Sequence, residues 1–221
     1  MRNTETKYTY VIRPGTYHTA GGYPPPTPYP ARKISFSHRE LKEISVSVLV
    51  LTTAFTMILA RSAPSLPIAL LTAAGAVISG FFLHEMGHKF TAQRYGCWAE
   101  FRVWSTGLLI ALVTATAGFL FAAPGAVYIA GAVDIKRNGK ISLAGPMTNL
   151  AVASIFTVGA ILAPSPTLYF VLLSIAFLNT FLGLFNMLPF PPLDGSKVLK
   201  WSKAAYISTI AALGALLLLL W

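Results

Sequence analysis

The sequence predicts an all-α membrane protein: a polytopic bundle of about five to six transmembrane helices, with a re-entrant or β-hairpin element after the helix that carries His84 and His88. Three observations lead there. Of 221 residues, 55% are hydrophobic and only 11% charged, against about 25% charged in soluble domains. Mean hydropathy is +0.64. Uncharged runs long enough to cross a bilayer recur along the chain, and the breaks between them hold Pro, Gly, Lys and Arg. A soluble globular domain and a disordered chain are excluded.

Residues 1–35 read as a separate Pro/Tyr-rich tail, flexible and without an apolar core of the kind a signal peptide carries. Its Gly21–Pro30 stretch favours extended backbone, because proline lacks the amide donor. The membrane domain is expected over 36–221. Ser37 and Glu40 have the spacing of a capping box, and the helix they open is uncharged from Ile44 to Ala60. Arg61, Pro64 and Pro67 break it. A second uncharged run, Ser62 to Leu83, leads into His84-Glu85-Met86-Gly87-His88.

A third run, Val103 to Val133, is interrupted by Pro124-Gly125 and suits a hairpin that enters and leaves on one side. Asn138-Gly139 predicts a turn within Asp134–Lys140. The run from Ile141 to Leu193 divides at Ala163-Pro164-Ser165-Pro166 into two antiparallel spans, and Ala204–Trp221 is the last apolar segment. With residues 1–43 inside, five spans plus one hairpin put Lys89, Arg94, Arg102, Lys136, Arg137, Lys140, Lys197, Lys200 and Lys203 on the cytoplasmic side. Only Arg61 is then outside. The net charge of +10 is thus membrane-flanking charge, and nucleic acid is not expected as a partner. The lone cysteine, Cys97, excludes an intrachain disulfide and reads as a small core residue.

Carboxylates at the ends of apolar spans carry the most information, since burying one is costly. Glu85 and Asp194 are such residues, whereas Glu100 and Asp134 sit in polar turns beside basic residues. His84 and His88 are four apart and share one helix face, so both imidazoles can reach one Zn²⁺. Glu85 lies at the rim of that face, placed to accept a proton from water. A catalytic zinc takes three protein ligands. His18 and His38 precede the first span, so Asp194, after a proline-rich helix stop and before Gly195, is the better third candidate.

His84-Glu85-Met86-Gly87-His88, with Leu193-Asp194-Gly195 downstream, resembles the site-2 protease family of intramembrane zinc metalloproteases over about Leu66–Lys200. The resemblance implies one Zn²⁺ per chain held by His84, His88 and Asp194, with Glu85 as catalytic acid/base. It implies that Asn186 holds substrate or the developing oxyanion, and that Ala144–Asn149 closes against the catalytic helix, with Asn149 a further candidate for that role. It implies regulated intramembrane proteolysis: hydrolysis of peptide bonds in or next to transmembrane segments of other membrane proteins. The protein would be multi-pass in the cell membrane, with its active site towards the cytoplasm. No stretch reads as an appended PDZ or CBS module. Asn179 reads as a helix–helix contact. Two other classes fit less well. A membrane protease with a Glu as third ligand lacks a Glu after Asp134, and a metal-handling carrier would need polar residues across the whole bilayer rather than near one face.

Overall fold

Ser37 starts the first long helix. Its Oγ accepts the Glu40 amide at 3.1 Å, and helix α1 runs from His38 to Leu59. The computed structural model describes Thr9–Arg13, Thr16–Thr19 and residues 34–220. Within the expected tail, β1 (Thr9–Arg13) and β2 (Thr16–Thr19) form an antiparallel pair. The Gly21–Pro30 stretch lies outside the described residues.

After α1 come α2 (Leu66–Val77), a π-helical turn at Ile78–Phe82 and α3 (Leu83–Arg94), continuous as one 29-residue helix. Next are β3 (Trp98–Val103), α4 (Ser105–Thr116) and β4 (Gly125–Ala130). The rest of the chain is helical: α5 (Ile135–Ile161), α6 (Pro166–Asn186), α7 (Asp194–Trp201) and α8 (Lys203–Leu220). Five helices are long and apolar enough to cross a membrane: α1, α2–α3, α5, α6 and α8. This is the polytopic bundle expected, at the lower span count.

The segment between the second and third spans is both re-entrant and a β-hairpin. Strands β3 and β4 pair antiparallel from Trp98↔Ala130 to Val103↔Gly125, so the chain returns to the level at which it left. Between them α4 has 12 residues, about 18 Å of helix against a hydrocarbon core of about 30 Å. It runs alongside α1: Glu43 accepts the Val103 amide near the start of α1, and Arg61 beyond its far end donates to Thr116 O at 2.9 Å. The pairing therefore begins at Trp98, earlier than the apolar run that signalled it.

Two local expectations fail. Asn138 and Gly139 lie inside α5, not in a turn, because Asp134 caps that helix by accepting the Arg137 amide at 2.6 Å. Gly139 serves packing: a Cβ there would lie 2.6 Å from Trp201 Cγ of α7. The Ser37–Glu40 capping box is only half formed, since the Glu40 carboxylate turns away to Lys89 and the Phe101 amide.

Where helices cross, the interior is built from small residues. Ala69, Ala73, Ala76, Ala153, Ala160 and Ala176 are buried, while Leu49, Leu71, Ile155, Ile161 and Leu218 are exposed. That pattern suits lipid, where close backbone approach rather than hydrophobic exclusion holds helices together. Helix α5 lies centrally, packed on α3, α6, α7 and α8.

Candidate metal centre

The metal-ligand candidates meet where α3 faces the start of α7. One turn of α3 stacks His84 over His88, with their Nε2 atoms 2.9 Å apart. The α6–α7 connection brings Asp194 to them: its Oδ2 lies 3.4 Å from His84 Nε2 and 3.1 Å from His88 Nε2. All three residues are buried. Tetrahedral zinc with ligands at about 2.0–2.2 Å sets them about 3.3–3.6 Å apart, so the trio needs to open only slightly. Among the described residues, this is the His/Cys/Asp/Glu group whose ligand atoms converge within 4.8 Å.

The donor chemistry fits a cation. His88 Nδ1 lies 2.8 Å from Ile141 O, which can only accept, so the proton sits on Nδ1 and the Nε2 lone pair is free. His84 Nδ1 lies 2.6 Å from Asn149 Oδ1. Asn149 Nδ2 donates to Gly80 O at 2.9 Å and to Asn179 Oδ1 at 3.1 Å, which leaves its oxygen facing the imidazole. Two imidazole Nε2 atoms and a carboxylate oxygen thus converge, a donor set that a divalent cation satisfies. Asp194 is suited to stay ionised. Burial alone would raise its carboxyl, but His88, His84 and Lys197 together hold it well below the usual carboxylate range.

Glycines make this approach possible. A Cβ on Gly145 would sit 2.5 Å from His88 Nε2 and 2.6 Å from His84 Nε2, so a side chain there would occupy the ligand atoms' own space. A Cβ on Gly87 would meet Ala144 O and Thr148 Oγ1, both at 2.9 Å. Ala144–Asn149 therefore packs directly on the helix carrying the histidines. A Cβ on Gly195 would strike the Met187 carbonyl, and a glycine there lets α7 begin tight against the end of α6.

In sequence terms the chain is 42% identical over 171 residues to “Putative zinc metalloprotease MJ0611” of Methanocaldococcus jannaschii, covering 76% of this chain and 86% of that protein. The chain belongs to this zinc metalloprotease family. It is also 32% identical over 168 residues to “Putative zinc metalloprotease Rip3” of Mycobacterium tuberculosis, across 70% of this chain and 39% of that longer protein. No family model matches the chain, and no solved structure matches it significantly. With its five apolar helices, this zinc metalloprotease is a multi-pass membrane protein.

Around the trio, the remaining candidates separate. Glu85 is half-buried, and its Oε2 accepts the Val127 amide of β4 at 3.1 Å, which ties the sheet to the helix bearing the histidines. Asn186, at the end of α6, donates back to Leu182 O at 3.0 Å and is half-buried. Asn149 is fully buried with both amide hydrogens engaged, and its Oδ1 meets His84 Nδ1. Asn179 links helices, as expected. His38 is exposed on α1, and the side chain of His18 lies outside the described residues. Cys97 is a buried core residue, packed with Ala92, Ala99, Val133 and Ile141, and burial pushes its thiol up.

Sequence reasoning missed Lys89 and Glu40. Both are fully buried: Lys89 Nζ donates to the two Glu40 oxygens at 2.9 and 2.8 Å and to Ala99 O at 2.8 Å. Glu40 Oε1 also accepts the Phe101 amide at 2.9 Å. A lysine adjoining the His-Glu-x-x-His motif was the available signal, but its charge resembled that of the flanking basic residues.

Proposed function

We propose that the protein is an intramembrane zinc endopeptidase of the site-2 protease type, hydrolysing peptide bonds in or next to transmembrane segments of other membrane proteins. One observation supports this above the others: buried His84 and His88 of one membrane-length helix converge with buried Asp194 at the start of α7, with Glu85 next to His84. His84, His88 and Asp194 would hold one zinc. When bound, the metal would lower the pKa of water towards about 7 and polarise the scissile carbonyl.

Glu85 accepts a proton from the attacking water and returns it to the leaving amine. Its hydrogen bond from Val127 fixes one carboxylate oxygen and leaves the other for that exchange. Asn186 stands where an amide could assist the developing oxyanion once it releases Leu182 O. A helical substrate must unwind to present its carbonyl, and an extended segment can then be held at the β3–β4 sheet by edge addition. The strand nearest Glu85 is β4, which β1 also approaches. Basic residues flanking the spans support a cell-membrane orientation with this site on the cytoplasmic side.

The deciding comparison is of membrane-protein fragments in cells carrying the wild type or Glu85→Gln. Gln keeps the shape of Glu85 but cannot take the proton. Cleavage should vanish while bound zinc remains at one equivalent. Cleavage within about tenfold of wild type would remove Glu85 from the mechanism, since general-base catalysis contributes about 10²–10⁴-fold.

A further inference from the structure

The hydrogen bond to His84 belongs to a longer chain of buried polar groups whose polarity is fixed link by link. Ser79 Oγ, in the π-helical turn, donates to Gly75 O at 2.7 Å, so towards its neighbours it can only accept. Asn179 Nδ2 meets two acceptors, Ser79 Oγ at 3.0 Å and Ile175 O at 2.9 Å. Both amide hydrogens are thereby spent, and Asn179 Oδ1 must face Asn149. Asn149 Nδ2 in turn meets Asn179 Oδ1 and Gly80 O, which directs Asn149 Oδ1 at His84 Nδ1. Ser79, His84, Asn149 and Asn179 are all buried, so water does not compete for these bonds.

Without Asn179 Oδ1, Asn149 loses one of the two acceptors that tell its nitrogen from its oxygen. A flipped Asn149 would offer an N–H to His84, drawing the imidazole proton from Nδ1 to Nε2, where it blocks metal ligation. We propose that Asn179, whose hydrogen-bond partners are Ser79, Ile175 and Asn149, is a positioning residue that sets the His84 tautomer through Asn149. This rests on the metal-site reading given above. It assigns the polar face of α6 a task beyond helix packing, since either orientation of a packing amide would hold two helices together.

The test combines tautomer spectroscopy with zinc titration on purified full-length protein. In ¹⁵N-histidine-labelled, metal-free wild type, recorded at a pH where the ring is neutral, the His84 resonance, assigned by its loss in His84→Gln, should have the Nδ1–H signature. An Nε2–H signature in the wild type would overturn the proposal without any further variant. Asn179→Leu should introduce the Nε2–H form and weaken zinc binding about tenfold, at the lower end of the effect of orienting partners. Unchanged tautomer and affinity would overturn it.

Rescue separates orientation from structure. Asn179→Thr keeps a hydroxyl that can donate to Ile175 O and accept from Asn149 Nδ2, so it should restore the Nδ1–H form and most of the zinc affinity lost in Asn179→Leu. Loss without rescue means that Asn179 only packs helices. If Asn179→Leu does not fold, Asn179→Ala removes the amide without a branched side chain, and the wild-type spectrum decides independently. A wild type that binds no zinc at all would defeat the metalloprotease site itself, while the metal-free tautomer would still report on Asn179.

Discussion

Asp194 is the carboxylate whose removal should be felt at the metal rather than at the fold. Its oxygens face His84, His88 and, at 3.6 Å, Lys197, so Asp194→Ala leaves the two imidazoles without their anionic partner. Zinc affinity, measured by competition with a chelator, should fall along with activity. Asp134→Ala should leave bound zinc nearly unchanged, because Asp134 caps the start of α5. Equal zinc affinity in both variants would place the third ligand elsewhere. Gly145 offers a sharper probe. Its missing side chain is the space in which the two Nε2 atoms lie, and both rings are pinned by their Nδ1 bonds. Gly145→Ala should therefore weaken zinc binding more than about tenfold, the scale on which disturbed ligand orientation is felt. Gly214→Ala, where a methyl meets nothing within 4 Å, is the control that should change nothing. The His84/Glu85/His88 cluster was legible in the sequence because its geometry is local to one helical turn. The surroundings of Asn149 were not, since its hydrogen-bond partners His84, Gly80 and Asn179 lie 30 to 69 residues away in sequence.

Carboxylates take three outward-facing amides of the β3–β4 sheet. On β3, the Phe101 and Val103 amides go to Glu40 and Glu43 of α1, and on β4 the Val127 amide goes to Glu85 of α3. An open sheet edge in contact with lipid would leave amides unsatisfied, and charged acceptors solve that problem locally. Lys89 makes the Glu40 arrangement tolerable by neutralising it and bonding the Ala99 carbonyl. Lys89→Met should thus destabilise the protein by about 3–5 kcal/mol, the cost of leaving a buried partner charge uncompensated. Adding Glu40→Gln should recover part of that loss, as thermal unfolding in detergent would show. Equal and additive losses would mean that the two side chains are not coupled. The sequence predicted a hairpin here but not its clasp. The Ser37–Glu40 spacing describes a capping box equally well, and Lys89 reaches Glu40 across 49 residues. The Asn138-Gly139 turn failed for a related reason: a dipeptide signal gave way to a cap at Asp134 and to Trp201 packed on Gly139.

Topology follows from two placements that the chain makes far apart in sequence. The α4 excursion begins and ends at paired strands, so the charged turn before Lys140 lies on the side from which β3 departs. Arg61 reaches Thr116 at the opposite end of α1, which puts the tip of that excursion near the far interface without carrying the chain across. Helices α1, α2–α3, α5, α6 and α8 are then the crossings, and an odd number of crossings leaves the two ends of the described membrane domain on opposite sides. Which side faces the cytoplasm is a prediction from the basic residues. Lys136, Arg137, Lys140, Lys197, Lys200 and Lys203 fall on the side of His84 and Asp194, with Arg61 opposite, and the positive-inside bias predicts that this side is cytoplasmic. A reporter active only outside the cytoplasm, fused after Trp221, should therefore be active, and one active only inside, placed between Ser35 and Ser37, should be active too. If α4 and the strands formed a sixth crossing, the Trp221 fusion would instead be silent outside. Asp194 would then lie on the face opposite His88, which their 3.1 Å separation forbids. The reporter result thus tests the count of crossings and the assembly of the metal site together.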